Sequence, residues 1–305
     1  MSNTNNAYLK YTRFVLFFVF VVIAAGGIVR MTQSGMGCPD WPRCFGSWIP
    51  PTNASQLPAD YEKYLRQQDI DHEFNAVHTW TEYINRLLGA ILGFLFIIHT
   101  IWSARKFFST RPSIFWMSFL MLVATGVQAW LGKRIVDANL AVVKVTTHML
   151  VALVIAIIPV VILRRLQNIH PVENKGTKWL AILTLLLLLV QIVIGTEVRE
   201  QIDEVSRALH YEQRELWINR LDFFFTLHKT CAWIATACCV GLFWRSLPYK
   251  VLSAIGGWIF VVVLTTLVLG LSMLYLNVPA IAQPLHLICS SLLFVLVYAL
   301  ILRLK

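Results

Sequence analysis

The sequence predicts an all-α polytopic membrane protein, with eight transmembrane helices arranged as two pseudo-symmetric four-helix bundles. Three observations carry that prediction. Hydrophobic residues make up 57% of the 305-residue chain and charged residues only 14%, a balance that excludes a soluble globular domain. Apolar windows of about 20 residues, long enough to cross a hydrocarbon layer of ~30 Å as a helix, occur eight times. The order of polar residues in the first four windows recurs in the last four.

The windows fall at 14–31, 78–102, 113–132, 143–163, 179–196, 221–244, 252–276 and 284–303. The first follows Lys10 and Arg13 and contains Ala24-Ala25, the form of a secretory signal, but its match to the fifth favours a retained helix. No Arg-rich, Ser-rich transit segment precedes it, which points to a bacterial plasma membrane. The sixth and eighth windows each enclose a histidine, a polar interruption expected where a helix lines a buried site.

Lys and Arg in short loops tend to stay cytoplasmic. Lys10/Arg13, Arg105/Lys106/Arg111, Arg164/Arg165/Lys175/Lys178, Arg245/Lys250 and Arg303/Lys305 fall on one side, which assigns both termini to the cytoplasm. The long connections 32–77 and 197–220 then lie outside and hold most of the acidic residues, among them Asp60, Glu62, Asp69, Asp71, Glu73, Asp203 and Glu204. The net charge of +10 is thus a matter of topology, and no basic patch interleaved with aromatics remains to bind nucleic acid.

Residues 1–170 read as an N-terminal repeat carrying the external loop 32–77, and residues 171–305 as a C-terminal repeat. Gly27-Ile28-Val29-Arg30 in span one parallels Gly195-Thr196-Glu197-Val198-Arg199 in span five. Asn85-Arg86 in span two parallels His228-Lys229 in span six, and His148 in span four parallels His286 in span eight. Four spans in each half make the repeats parallel, related by an axis along the membrane normal.

Of eight histidines, His72, His170 and His210 fall in loops and His99 near the cytoplasmic end of span two, where exposed or interfacial positions are expected. His148, His228 and His286 lie inside apolar runs, at matched depths in repeated helices, which favours metal or heme ligation over three separate hydrogen-bonded core residues. Each stands alone on its helix without a thiolate or carboxylate cluster, which suits a planar macrocycle between helices better than zinc or copper. Gly89, Gly93, Gly126 and Gly132 leave room for a flat ligand. Arg30, Arg86, Arg199 and Lys229 at helix ends are candidates to pair with propionates, with simple snorkelling as the alternative.

His78, Glu82 and Asn85 are spaced i, i+4, i+7; seven residues turn a helix through about 700°, so the three share one face. Glu82 is there either a proton donor or acceptor at a heme edge or a water-facing glutamate stabilised by the helix dipole. Cys231, Cys238, Cys239 and Cys289 sit within spans and read as small packing residues. Cys38 and Cys44 flank Pro39-Asp40-Trp41-Pro42-Arg43 in the external loop, where either a disulfide or two free thiols fit; a zinc site lacks further ligands nearby.

Ser34-Gly35-Met36-Gly37-Cys38-Pro39-Asp40-Trp41-Pro42-Arg43-Cys44, Glu82-Tyr83-Ile84-Asn85-Arg86 and the histidines of spans four, six and eight together resemble the heme A synthase family over nearly the whole chain. The resemblance implies oxidation of the C8 methyl of heme O to a formyl group, giving heme A for terminal oxidases. It further implies heme b in the C-terminal half on His228 and His286, substrate heme in the N-terminal half on His148, and a functional carboxylate at Glu82. The partners implied are the substrate heme O, a heme O synthase that supplies it, an electron donor, the assembling terminal oxidase and membrane lipid; a homo-oligomer is also compatible.

Two departures from the family pattern stand out. Span two usually reads Glu-Tyr-x-His-Arg, and here Asn85 holds the histidine position. An amide is a poor iron ligand, so either the substrate heme is five-coordinate through His148 or His78, about 10.5 Å along the helix, substitutes. The loop 197–220 also lacks the cysteine pair of some relatives, so any disulfide function rests on Cys38 and Cys44. Competing readings are a membrane b-type cytochrome passing electrons from quinol, disfavoured by the missing histidine, and a heme transporter or chaperone.

Overall fold

The computed structural model describes residues 3–65, 74–136, 142–167 and 169–305; His72, Asp69, Asp71 and Glu73 lie outside them. Eight of its helices are long and apolar enough to cross a membrane. They are α1 Asn3–Met31, α2 Ala76–Phe107, α3 Pro112–Val136, α4 Val142–Leu166, α5 Lys175–Ala208, α6 Phe223–Ser246, α7 Lys250–Tyr275 and α8 Ala282–Ile301. No strand occurs among the described residues. The protein is a multi-pass, all-helical membrane protein.

Several helices start where a side chain satisfies the first free backbone donors. Asn75 accepts from the amides of Val77 and His78 at 3.0 and 3.2 Å at the head of α2. Asn174 accepts from Thr177 N at 3.0 Å to open α5, and Asp222 from Phe224 N at 2.8 Å to open α6.

The largest difference from the sequence expectation is at 197–220. Residues 197–208, expected in an external connection, continue α5 as helix. Hydropathy windows stop where charge begins, but helix does not: Arg199 pairs with Asp203 one turn on at 2.8 Å, and Val198 and Ser206 stay buried. The extension is tied back to α6 because Gln201 Nε2 donates to Asp222 Oδ1 at 2.7 Å. His210 and Tyr211, both left-handed with φ of 51° and 62°, then turn the chain.

The chain divides into two compact units, residues 1–159 and 160–305. In the first, α2 packs against α1 and α3. His99 corrects its expected interfacial placement: it is fully buried between α1 and α2. Thr12 Oγ1 donates to Tyr8 O at 2.8 Å, so its lone pairs receive His99 Nε2–H at 3.1 Å. His99 Nδ1 then faces Tyr8 Oη at 3.3 Å. A group that sequence position puts near the membrane boundary is held inside because both ring nitrogens find hydroxyl partners.

The second unit is a closed ring: α5 packs on α6 and α8, and α7 packs on α6 and α8. Helices α6 and α7 touch closely, since a Cβ added to Gly256 would lie 2.6 Å from Ser246 Cβ. The C-terminus returns to the α4–α5 connection, where Val172 N donates to Arg303 O at 2.8 Å and Lys305 N to Val172 O at 2.9 Å.

Candidate functional site

The first external loop is docked on the start of α2 through backbone contact. A Cβ on Gly37 would sit 2.4 Å from His78 O and 2.7 Å from Thr79 N, so only glycine lets the loop lie this close. Thr79 Oγ1 donates to Gly37 O at 2.9 Å across the same contact. Cys38 and Cys44 form a disulfide, and both are fully buried with Phe45 in a small core that Leu57, Tyr64, Phe74 and Tyr83 surround. Of the two arrangements open in the sequence, the disulfide is the one present.

Asp40 shapes the loop's tip. Its carboxylate accepts from Phe45 N at 2.6 Å and Gly46 N at 2.9 Å, stabilising two consecutive left-handed residues with φ of 53° and 76°. Helix α2 grips the loop from below. Glu82, 4% exposed, accepts from Cys38 N at 2.7 Å and forms an ion pair with Arg86. Arg86 donates to the carbonyls of Asp40 at 2.6 Å, Cys38 at 2.8 Å and Arg43 at 3.2 Å. One i, i+4 pair thus satisfies four loop backbone groups, and Glu82 is neither water-facing nor without partners.

The three intramembrane histidines divide by unit. In the first, His148 on α4 lies against α3, where Gln128 Nε2 donates to His148 O at 2.8 Å. In the second, the His228 and His286 rings face each other across the bundle with centroids 6.5 Å apart and planes at 57°. His286 Nδ1 donates to Thr266 O at 3.0 Å, which leaves Nε2 with the free lone pair. Gln191 Nε2 lies 3.0 Å from His228 O and 3.3 Å from His228 Nε2.

That arrangement can hold a flat metal macrocycle. Two imidazoles on opposite faces of one iron, each with a metal–nitrogen bond of about 2 Å, put their ring centres roughly 6–6.5 Å apart. The pair His228 and His286 has that spacing. Among the described residues no group of three or more His, Cys, Asp and Glu could hold a bare metal ion instead.

Residues 10–298 match the model of a family described as cytochrome oxidase assembly protein, COX15-CtaA. The chain belongs to this family. Among curated relatives, a heme A synthase of Rhodopseudomonas palustris (strain BisB5) is 28% identical over 308 residues, covering 87% of this chain and 82% of the relative. One from Rhizorhabdus wittichii is 30% identical, covering 62% and 59%, and one from Shewanella oneidensis 28%, covering 60% and 54%. The aligned part thus spans less than two thirds of the Rhizorhabdus and Shewanella proteins and most of the Rhodopseudomonas one.

Within the cytochrome oxidase assembly family framework, the structure brings together Glu82, Arg86, Cys38 and Cys44, and separately His228 and His286. Asn85 lies within α2 between Glu82 and the C-terminal half of the helix, and His78 lies in the first turn of α2 beneath Gly37. Arg30 lies in the last turn of α1, Arg199 is paired with Asp203, and Lys229 Nζ sits 4.5 Å over the Phe225 ring. Sequence reasoning missed Gly37, Asp40, Gln128, Gln191 and Thr266. For the last three a signal existed: each stands four residues before a glycine, Gly132, Gly195 or Gly270.

Proposed function

We propose that the chain is a heme A synthase, oxidising the C8 methyl of heme O to a formyl group to give heme A for terminal oxidase assembly. The family match and the curated relatives support the reaction. The 6.5 Å spacing of the His228 and His286 rings is the observation that carries the resident cofactor, read as heme b with these two axial ligands. When bound, this heme supplies a one-electron carrier inside the membrane.

The first unit is read as the substrate site. His148 is the candidate ligand of heme O, and Asn85 leaves the opposite side without an imidazole, so we assign the substrate one protein ligand. His78 is a weaker candidate, because it sits under the docked loop rather than one turn from Asn85. Conversion of a methyl to a formyl breaks two C–H bonds and adds one oxygen, a four-electron oxidation whose electrons pass to the oxidant, so the hydrogens taken from carbon must be accepted at the site. Glu82 is the candidate to hold or move a proton at its carboxylate, with Arg86 and Cys38 N fixing its position.

Arg30, Arg199 and Lys229 remain candidates for propionates; Arg86 is already committed to loop carbonyls. The repeats divide the labour as residues 1–170 for substrate and 171–305 for the resident heme. The basic loops support placement in a bacterial plasma membrane with both termini cytoplasmic. A heme O synthase and an electron donor are the further partners, and a homo-oligomer is compatible with the fold.

The test is co-expression with a heme O synthase, purification in detergent, and identification of extracted hemes by chromatography and mass spectrometry. Heme A or hydroxylated heme O beside heme B is the expected result. Heme B alone, with heme O available, overturns the reaction and favours an electron-transfer cytochrome.

A further inference from the structure

The three intramembrane histidines share a seat that the ligand reading does not use. Each ring lies against a glycine of a neighbouring helix. A Cβ placed on Gly195 would be 3.1 Å from His228 Cε1, one on Gly270 3.4 Å from His286 Cε1, and one on Gly132 3.8 Å from His148 Cε1. Each of these glycines follows by four residues the group that bonds the same histidine. Thr266 accepts His286 Nδ1–H through its carbonyl, and Gln191 and Gln128 donate to the carbonyls of His228 and His148.

Helix geometry explains the four-residue spacing. Side chains in a helix tilt toward its N-terminus, so a Cβ at position i+4 leans over the carbonyl of residue i. That carbonyl already accepts the i+4 amide and keeps a second lone pair. A glycine at i+4 uncovers it and lets an imidazole come alongside. At Gly270 the outcome is visible, because His286 Nδ1 reaches Thr266 O and the tautomer is fixed with Nε2 free. His228 Nδ1, buried and without a hydrogen bond, faces Gly195 in the corresponding way, with 3.6 Å between it and the added Cβ.

Resting on the assignment of His228 and His286 as heme ligands, we infer that Gly195 and Gly270, with Gln191 and the Thr266 carbonyl, are positioning residues that set the imidazole planes of the resident heme. The looser Gly132 seat belongs to the half assigned to an exchangeable substrate. The missing seat fits as well. Aligned on Arg30 and Arg199, Gly26 takes the place of Gly195 and Val22 that of Gln191. A Cβ on Gly26 would meet nothing within 4 Å, and the next helix of the same repeat carries Asn85 in place of histidine. The ligand and its support have changed together.

The experiment compares Gly195→Ala, Gly270→Ala and Gln191→Leu with Gly257→Ala, whose added Cβ meets nothing within 4 Å. Purified holoproteins are assayed for heme transfer to excess apomyoglobin and for their low-spin electron paramagnetic resonance spectrum, with monodispersity and thermal midpoint recorded alongside. Loss of a residue that orients a metal ligand typically weakens binding 10–100-fold. The expected result is heme release accelerated about 10-fold or more, or displaced low-spin g-values, in the Gly195 and Gly270 variants, with Gly257→Ala unchanged. Gln191→Leu adds no atom at the close contact, and should displace the g-values even if an alanine variant fails to accumulate. Wild-type release and spectra in all three overturn the inference. A low-spin signal that survives both His228→Ala and His286→Ala overturns the ligand assignment itself, and the seats with it.

Discussion

Positions that align between the two halves of the sequence carry different side-chain networks. In the second, α5 and α6 present Gln191, Gly195 and His228, the following Lys229 lies over Phe225, and the four helices close into a ring. In the first, α1 and α2 present Val22, Gly26 and Asn85, and the residue after Asn85 is Arg86, committed to three loop carbonyls and Glu82. One half sets two histidine rings facing across its bundle; the other carries Asn85 in place of histidine and uses its polar groups to hold a disulfide-closed loop on the helix end. On the proposed reading, two imidazoles would hold the resident heme from both sides, and a substrate that enters and leaves would be served by one ligand and a cover.

Removing ligands should separate the halves most sharply. His286→Ala is expected to abolish the resident low-spin heme, while His148→Ala retains it at wild-type stoichiometry and loses bound heme O or its products. The measurement is the pyridine hemochrome spectrum with chromatography of extracted hemes after co-expression with a heme O synthase. Loss of all heme in both variants would mean that the halves do not bind independently.

The loop clamp comes next in size. Gly37→Ala forces a methyl into backbone at 2.4 Å, a clash that nothing flexible relieves, and overpacking of this kind costs about 1–3 kcal/mol. It should undock the loop, expose the Cys38–Cys44 pair to reductant and lower heme A formation at least 10-fold, with the second-unit heme intact. Glu82→Gln keeps the shape but removes the charge opposite Arg86, so product formation should fall further than heme O binding. Equal losses of both would make Glu82 a loop anchor alone. Thiol labelling before and after mild reduction reads the first effect, and the ratio of product to bound heme O the second.

A gain of ligand tests the same contrast from the other side. Asn85→His restores the imidazole position, and Val22→Gln supplies the amide that Gln191 provides in the second half. The double variant is expected to show a second low-spin heme by electron paramagnetic resonance, with the single Asn85→His variant showing a weaker or broader signal. Identical spectra for single and double variants would detach the ligand from its support.

Much of this was legible in the sequence. Helix number and the loop cysteines follow from apolar length and position outside the membrane, which are properties of composition and order, whereas the pairing of His228 with His286 comes from the resemblance to the family. The ends of helices were less legible: α5 runs through Glu197–Ala208 because i, i+4 pairing and partial burial sustain helix where hydropathy has already fallen. His99 was misplaced because two hydroxyls from α1, far away in sequence, make burial acceptable. The grip of Arg86 on the loop depends on backbone carbonyls, which carry no residue-type signal. The seats behind the histidines were written as a polar residue four before a glycine, but that spacing has meaning only once the facing helix is known.

The smallest expected effect concerns the arginines that leave the membrane at the same place in each repeat. Arg199 is paired with Asp203 at 2.8 Å, with both side chains about one-fifth exposed. Such an i, i+4 pair near water contributes about 0.3–0.5 kcal/mol. Arg199→Gln should therefore move the thermal midpoint by no more than about a degree or two. If Arg199 also faces a propionate of the resident heme, the same change should lower that heme's affinity and shift its midpoint potential, while Asp203→Asn, which removes the competing carboxylate, leaves the potential near wild type or shifts it the opposite way. Equal and negligible shifts in both variants would reduce Arg199 to a helix-surface pair, and the arginine shared by the two halves would then mark the membrane boundary rather than the heme.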